Sequence, residues 1–192
     1  MFQAGLKAGN RCRATPLLTL PTLIRSLQSN PTSKAECTYQ QAFEFTGGRC
    51  LFASGSPFPP ITSAHGRTFY PAQANNALVF PAVGHAAALC RCREISDEVF
   101  LATAEALASM TSLEEVESGL LFPRFSAIKD VSAKLMALVA DFMVRTGLGS
   151  TPADFDAVVA AAGEPADSPI LVRWEAYARK HMFDPASAAP KL

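Results

Sequence analysis

Gly48-Arg49-Cys50-Leu51-Phe52-Ala53-Ser54-Gly55-Ser56-Pro57-Phe58 contains a short, largely apolar run, Cys50 to Ser54, closed by Gly55 and Pro57. An apolar run bounded by turn residues reads as a short buried strand. Just upstream, Thr38 is placed to cap a helix from about Tyr39 to Thr46, because a threonine hydroxyl can accept one of the free N–H groups of a first turn. Gly47-Gly48 supplies the left-handed residue that ends such a helix. A helix followed at once by a buried strand is the unit of a parallel sheet with helices against it, so the fold class read from this stretch is α/β.

On the downstream side, Ile61 to Tyr70 is expected to form a small hairpin with Ala64-His65-Gly66 at its turn. Pro71 to Asn76 reads as a loop leading into an apolar helix from about Ala77 to Cys90, in which Pro81 is tolerable only in the first turn or at a kink. Asn75 and Asn76 thus stand at a helix start, where backbone N–H groups lack partners. Helices dominate from there on. Ser96 with Asp97 and Glu98 opens one whose apolar face is Val99, Ala102, Ala106 and Leu107, and Thr111 opens a short one ending near Gly119. Ser126 opens a longer one with the stripe Ile128, Val131, Leu135, Leu138 and Phe142. Thr151-Pro152 starts another through Val159, and Ile170 to Met182 reads as an amphipathic helix carrying Trp174 and Tyr177. Upstream of Ser29 there is little periodicity, and Pro16 and Pro21 interrupt the apolar run Leu17 to Leu23, so weak order is expected over residues 1–29.

Composition permits a packed core: 49% of residues are hydrophobic and 18% charged, unlike a disordered chain. A net charge of +0 gives no electrostatic reason to expect nucleic acid or an anionic membrane as partner. The longest apolar stretch, Ala77 to Cys90, is broken by Pro81 and His85 and is shorter than the roughly 18 residues of a membrane span. The five cysteines include no Cys-x-x-Cys pair, which fits free thiols in a reducing compartment and leaves mitochondrion, cytoplasm and plastid open. No acidic residue precedes Glu36, whereas Lys7, Arg11, Arg13, Arg25 and Lys34 do; this resembles a transit peptide in composition, but an irregular basic leader or misassigned start is the preferred reading.

General motifs of catalysis are scarce. There is no Gly-x-Gly-x-x-Gly after a strand, no phosphate-loop lysine motif and no His-Glu-x-x-His. His65, His85 and His181 lie far apart and read as ordinary side chains, and Cys90-Arg91-Cys92 has the spacing of neither a redox pair nor a zinc knuckle. Gly47-Gly48 reads as a helix cap, because a helix C-terminus repels anions. Ser54-Gly55-Ser56 has no base in defined relation to it, so an activated serine is not expected.

Three segments taken in order carry a resemblance: Asn30-Pro31-Thr32-Ser33-Lys34-Ala35-Glu36-Cys37-Thr38, then Gly48 to Phe58, then Gln73-Ala74-Asn75-Asn76-Ala77-Leu78-Val79-Phe80-Pro81. Together they resemble the malic enzyme family, and the likeness continues through Ile95-Ser96-Asp97 before fading beyond about Gly147. The resemblance implies an incomplete Rossmann-like NAD(P)-binding domain over residues 30–147, a helical tail over 148–192, and residues 1–29 as leader.

It further implies oxidative decarboxylation of malate to pyruvate and carbon dioxide with NAD or NADP and a divalent metal, Mg or Mn, in a homo-oligomeric complete enzyme. Asn30 would stand beside both substrate and cofactor, Asn75 would contact malate, and Asn76 the cofactor. An amide side chain suits that edge, since it donates and accepts without adding charge. The family's catalytic tyrosine and lysine, its metal-binding acidic residues and its Gly-rich turn would all precede Asn30 and are not found, so the chain is expected to be truncated and inactive alone. Leu23-Ile24-Arg25-Ser26-Leu27 is the one stretch that can stand in for part of the strand delivering Asn30. Ala72 and Ala82 replace glycines usual in the family, which puts close backbone approach to a ligand in doubt. Two other readings stay open: a non-catalytic helical interaction module and a residual dinucleotide-binding fragment.

Overall fold

The computed structural model describes the backbone of residues 23–27 and residues 35–183 in full. Its sheet is built around β2, Cys50–Ser54, which pairs in parallel on one side with β1, Leu23–Leu27, and on the other with β5, Ala72–Gln73. Helix α1, Tyr39–Thr46, starts on a capping box: the Thr38 hydroxyl accepts from Gln41 N–H at 3.2 Å, and the Gln41 side chain accepts from Thr38 N–H at 2.9 Å. It ends on Gly47 at φ 60°, a left-handed conformation that costs glycine little. Between α1 and the sheet lies an aromatic cluster in which the Phe52 ring is 5.2 Å from Tyr39 and 5.6 Å from Phe58. The predicted helix, its glycine cap and the buried strand thus stand where the sequence put them.

Two expectations are corrected at the sheet. Weak order was expected over residues 1–29, with Leu23–Leu27 as the one stretch able to stand in for a strand; that stretch is a strand in full register with β2, from Leu23 against Cys50 to Leu27 against Ser54, and the remainder of 1–29 lies outside the described residues. A five-residue parallel strand takes its hydrogen bonds from a distant neighbour, so its own sequence need show no periodicity. Likewise Ala72–Gln73 is not loop but a two-residue strand, too short to leave any pattern. The small hairpin forms as read, with β3, Ile61–Thr62, antiparallel to β4, Thr68–Phe69.

Helix α2, Phe80–Leu89, begins later than expected because a 3-10 turn, Asn76–Leu78, comes first. This leaves Pro81 in the first turn of α2, where its missing N–H breaks no helical bond. Then follow α3, Asp97–Ser109; α4, Leu113–Glu117; α5, Ile128–Arg145; α6, Phe155–Ala161; and α7, Ile170–His181. Helix α5 packs against α2, α3 and α7. That is why its buried face is broader than the expected stripe: Met136, Val139, Ala140 and Met143 fill the centre while Leu138 and Phe142 are only partly covered. Phe155, Trp174 and Tyr177 close the far side, and the Tyr177 hydroxyl donates to Asp154 at 2.8 Å. Among the described residues no helix is long and apolar enough to cross a membrane.

His85 on α2 is half-buried, and burial together with His181 on α7 holds its imidazole below the ordinary histidine range. A lowered folded-state value means that the unfolded chain takes up its proton first as the pH falls below about 6.5. Stability contributed by neutral His85 is therefore present above that pH and lost below it. Thermal melting at pH 7.5 and 5.5 should show a drop that His85→Gln reduces, and an unchanged pH dependence in the variant would count against this role.

Candidate functional site

The register aligns the carboxyl ends of the three parallel strands, with Leu27 beside Ser54 and Ser54 beside Gln73. Ligands of open parallel sheets bind outside this edge. Ser54 is buried, and its hydroxyl donates to the Ser56 carbonyl, bending the chain away as β2 ends. With its proton committed to a carbonyl, Ser54 is a structural serine. Its own carbonyl accepts from Ala74 N–H at 2.8 Å, which extends the pairing one residue past β5 and delivers Asn75 and Asn76 directly beyond the edge.

Asn75 is extended at φ −105°, ψ 135°, and its Oδ1 accepts from Ala77 N–H at 2.9 Å, capping the 3-10 turn. Its backbone carbonyl accepts from Leu78 N–H and that of Asn76 from Val79 N–H, both at 3.0 Å. The carboxamide NH2 of half-buried Asn75 and the whole side chain of exposed Asn76 remain available, since neither makes a hydrogen bond among the described residues. Asn75 is thus a helix cap, as its position suggested, with its NH2 unbonded among the described residues. Asn30 lies outside the described residues.

The alanines at usual glycine positions are both buried. Ala72 is 2% exposed and packs with Ala53 and Leu120, while Ala82 is 1% exposed within the helical core. Both methyl groups are packed into apolar clusters. Burial, with Cys92 beside it, pushes the Cys90 thiol up to about 11, which keeps it protonated and unreactive. Among the described residues Cys50, Cys90 and Cys92 are free thiols.

Sequence reading missed Arg124. Its guanidinium lies 4.5 Å over the Tyr70 ring, beside Gln73 at the end of β5. Two residues so far apart in the chain leave no local signal, and only the fold brings them together. Among the described residues no group of three or more His, Cys, Asp or Glu is arranged to hold a metal ion.

Parallel strands that present paired amides at their carboxyl ends, backed by helices, define the class: part of a Rossmann-like dinucleotide-binding domain. Residues 20–144 match the family described as malic enzyme, NAD binding domain, and the chain belongs to the malic enzyme family. It is 44% identical over 134 residues to an NADP-dependent malic enzyme of Anas platyrhynchos, covering 68% of this chain and 24% of that protein. An NADP-dependent malic enzyme of Homo sapiens is 50% identical over 107 residues, 56% of this chain and 19% of the relative. The crystal structure of an Entamoeba histolytica malic enzyme superposes with a TM-score of 0.51 at 19% identity, over 81% of this chain and 33% of that one, which shows the shared fold. The chain spans between about a fifth and a quarter of the length of the relatives it matches.

Proposed function

We propose that the chain supplies the substrate- and nicotinamide-facing wall of an enzyme that converts malate, by oxidative decarboxylation, to pyruvate and carbon dioxide with NAD or NADP. The observation that carries this is the delivery of Asn75 and Asn76 beyond the aligned carboxyl ends of three parallel strands. Asn75 would donate its NH2 to a malate carboxylate, Asn76 would hold the cofactor, and Asn30 would serve both. The dinucleotide accepts the hydride when bound. This chain's residues bind and orient, and their uncharged amides avoid opposing the substrate's negative charge.

Hydride transfer and decarboxylation also need a base, an acid and a metal to polarise the ketone. Among the described residues no group of three or more His, Cys, Asp or Glu fits a metal, and this reading assigns the base, the acid and the metal ligands to residues other than the described ones. The 192-residue chain by itself should show negligible nicotinamide reduction with malate and manganese. A chimera in which it replaces the matched 134 residues of the Anas platyrhynchos relative should regain turnover. A chimera that folds but stays inactive, or an isolated chain as fast as the complete relative, would sink the reading.

A further inference from the structure

Beside the sheet edge, but not lined by Asn75 or Asn76, is a cavity of about 200 Å3. Its walls come from three separate stretches: the turn leaving β2, the run from Tyr70 into β5, and the link between α4 and α5. Phe58, Tyr70 and Pro123 make it largely apolar, and half-buried Gln73 and the exposed residues Arg124 and Ser126 are its polar lining residues. Arg124 contributes the one charge among the described lining residues.

That arginine is held from two sides. Its guanidinium stacks over Tyr70, and its backbone N–H donates to Glu115 Oε1 at 3.1 Å. Glu115 is a neighbouring negative charge, but its second carboxylate oxygen is occupied by the Ser112 N–H and hydroxyl at 2.9 and 3.0 Å. The guanidinium's own donors make no hydrogen bond among the described residues.

A stacked guanidinium is partly preorganised, and its fork matches a carboxylate with two parallel N–H donors. An amide and a hydroxyl nearby can complete the partners of a small acid. The volume lies below the about 300–1,000 Å3 of sites for drug-sized ligands, which excludes a dinucleotide and suits a molecule of a few carbons. We infer that this cavity is a small-carboxylate subsite in which Arg124 binds the acid group and Gln73 and Ser126 bind its remaining oxygens. The assignment stands on the cavity alone, whether or not the edge amides bind dinucleotide.

The test uses the full 192-residue chain and an arginine-directed dicarbonyl, with modification followed at each arginine by peptide mass spectrometry. Malate or pyruvate should slow modification of Arg124 by about tenfold, the scale of a charge-assisted bidentate contact, while exposed Arg67 and Arg145 react unchanged. Calorimetry should show the same acids binding about tenfold more weakly to Arg124→Gln, a variant whose folding is checked by circular dichroism. Asn75→Ala should leave Arg124 protection intact, which separates this site from the edge amides. Absence of protection, equal protection of Arg145, stronger protection by inorganic phosphate than by either acid, or undiminished binding to Arg124→Gln would overturn the inference.

Discussion

Phe52→Ala should destabilise the chain by about 3–5 kcal/mol, the range for truncating a fully buried aromatic side chain. Phe52 is 0% exposed at the centre of β2, with Tyr39 and Phe58 rings on either side. Removing it deletes the apolar area and leaves a cavity that those rings can fill only by moving. Tyr39 holds α1 against the sheet, and Phe58 lines the wall beside Arg124, so both would shift with it. Urea denaturation measures the loss. A cost below about 1 kcal/mol would mean that the sheet packs in some other way. Phe52→Leu keeps much of the volume and should cost clearly less, as volume-conserving exchanges in cores do.

Asn75 carries the second large effect, because one side chain has two tasks. Its Oδ1 caps the 3-10 turn, and its NH2 is the donor proposed for malate. In the chimera, Asn75→Ala removes both and should weaken malate binding by about 10–150-fold, equivalent to the roughly 1.5–3 kcal/mol of a hydrogen bond to a charged group. Asn75→Asp separates the tasks. A carboxylate still accepts from Ala77 N–H, so melting should stay close to that of the parent, but it replaces the donor by a negative charge facing an acidic substrate. The expected result is a raised KM as severe as that of the alanine variant at unchanged stability. Steady-state kinetics beside a melting curve reads both quantities, and an unaltered KM in Asn75→Asp would remove Asn75 from the substrate site.

What could be read in the sequence followed the range of the interactions involved. Thr38, Gln41 and Gly47 act within one helical turn of each other, so the start and end of α1 were visible in order. Cys50–Ser54 was visible because a strand buried at four of its five positions reads as a short, nearly unbroken apolar run. By contrast, β1 and β5 exist through pairing with β2: Leu23–Leu27 was singled out only because the resemblance required a strand before Asn30, and nothing inside Ala72–Gln73 announces one. The face of α5 was misjudged for a related reason: a single stripe describes a helix covered on one side, and three helices cover this one. At the site, Asn75 and Asn76 were found by resemblance, and the structure supplied the cap bond that their place at a helix start suggested. Arg124 over Tyr70 and the burial of Ala72 and Ala82 became visible only in three dimensions.

The apolar interior is divided, with an aromatic cluster between α1 and the sheet, a small one around Ala53, Ala72 and Leu120, and a large one among the helices. Asn75 and Asn76 lie on the short connection between β5 in the second and α2 in the third. A ligand grasping both amides would fasten one body to the next at their joint. Its binding energy would then go partly into making the sheet and the helical layer melt as one cooperative unit, so that occupancy reports on mechanical unity as well as on affinity.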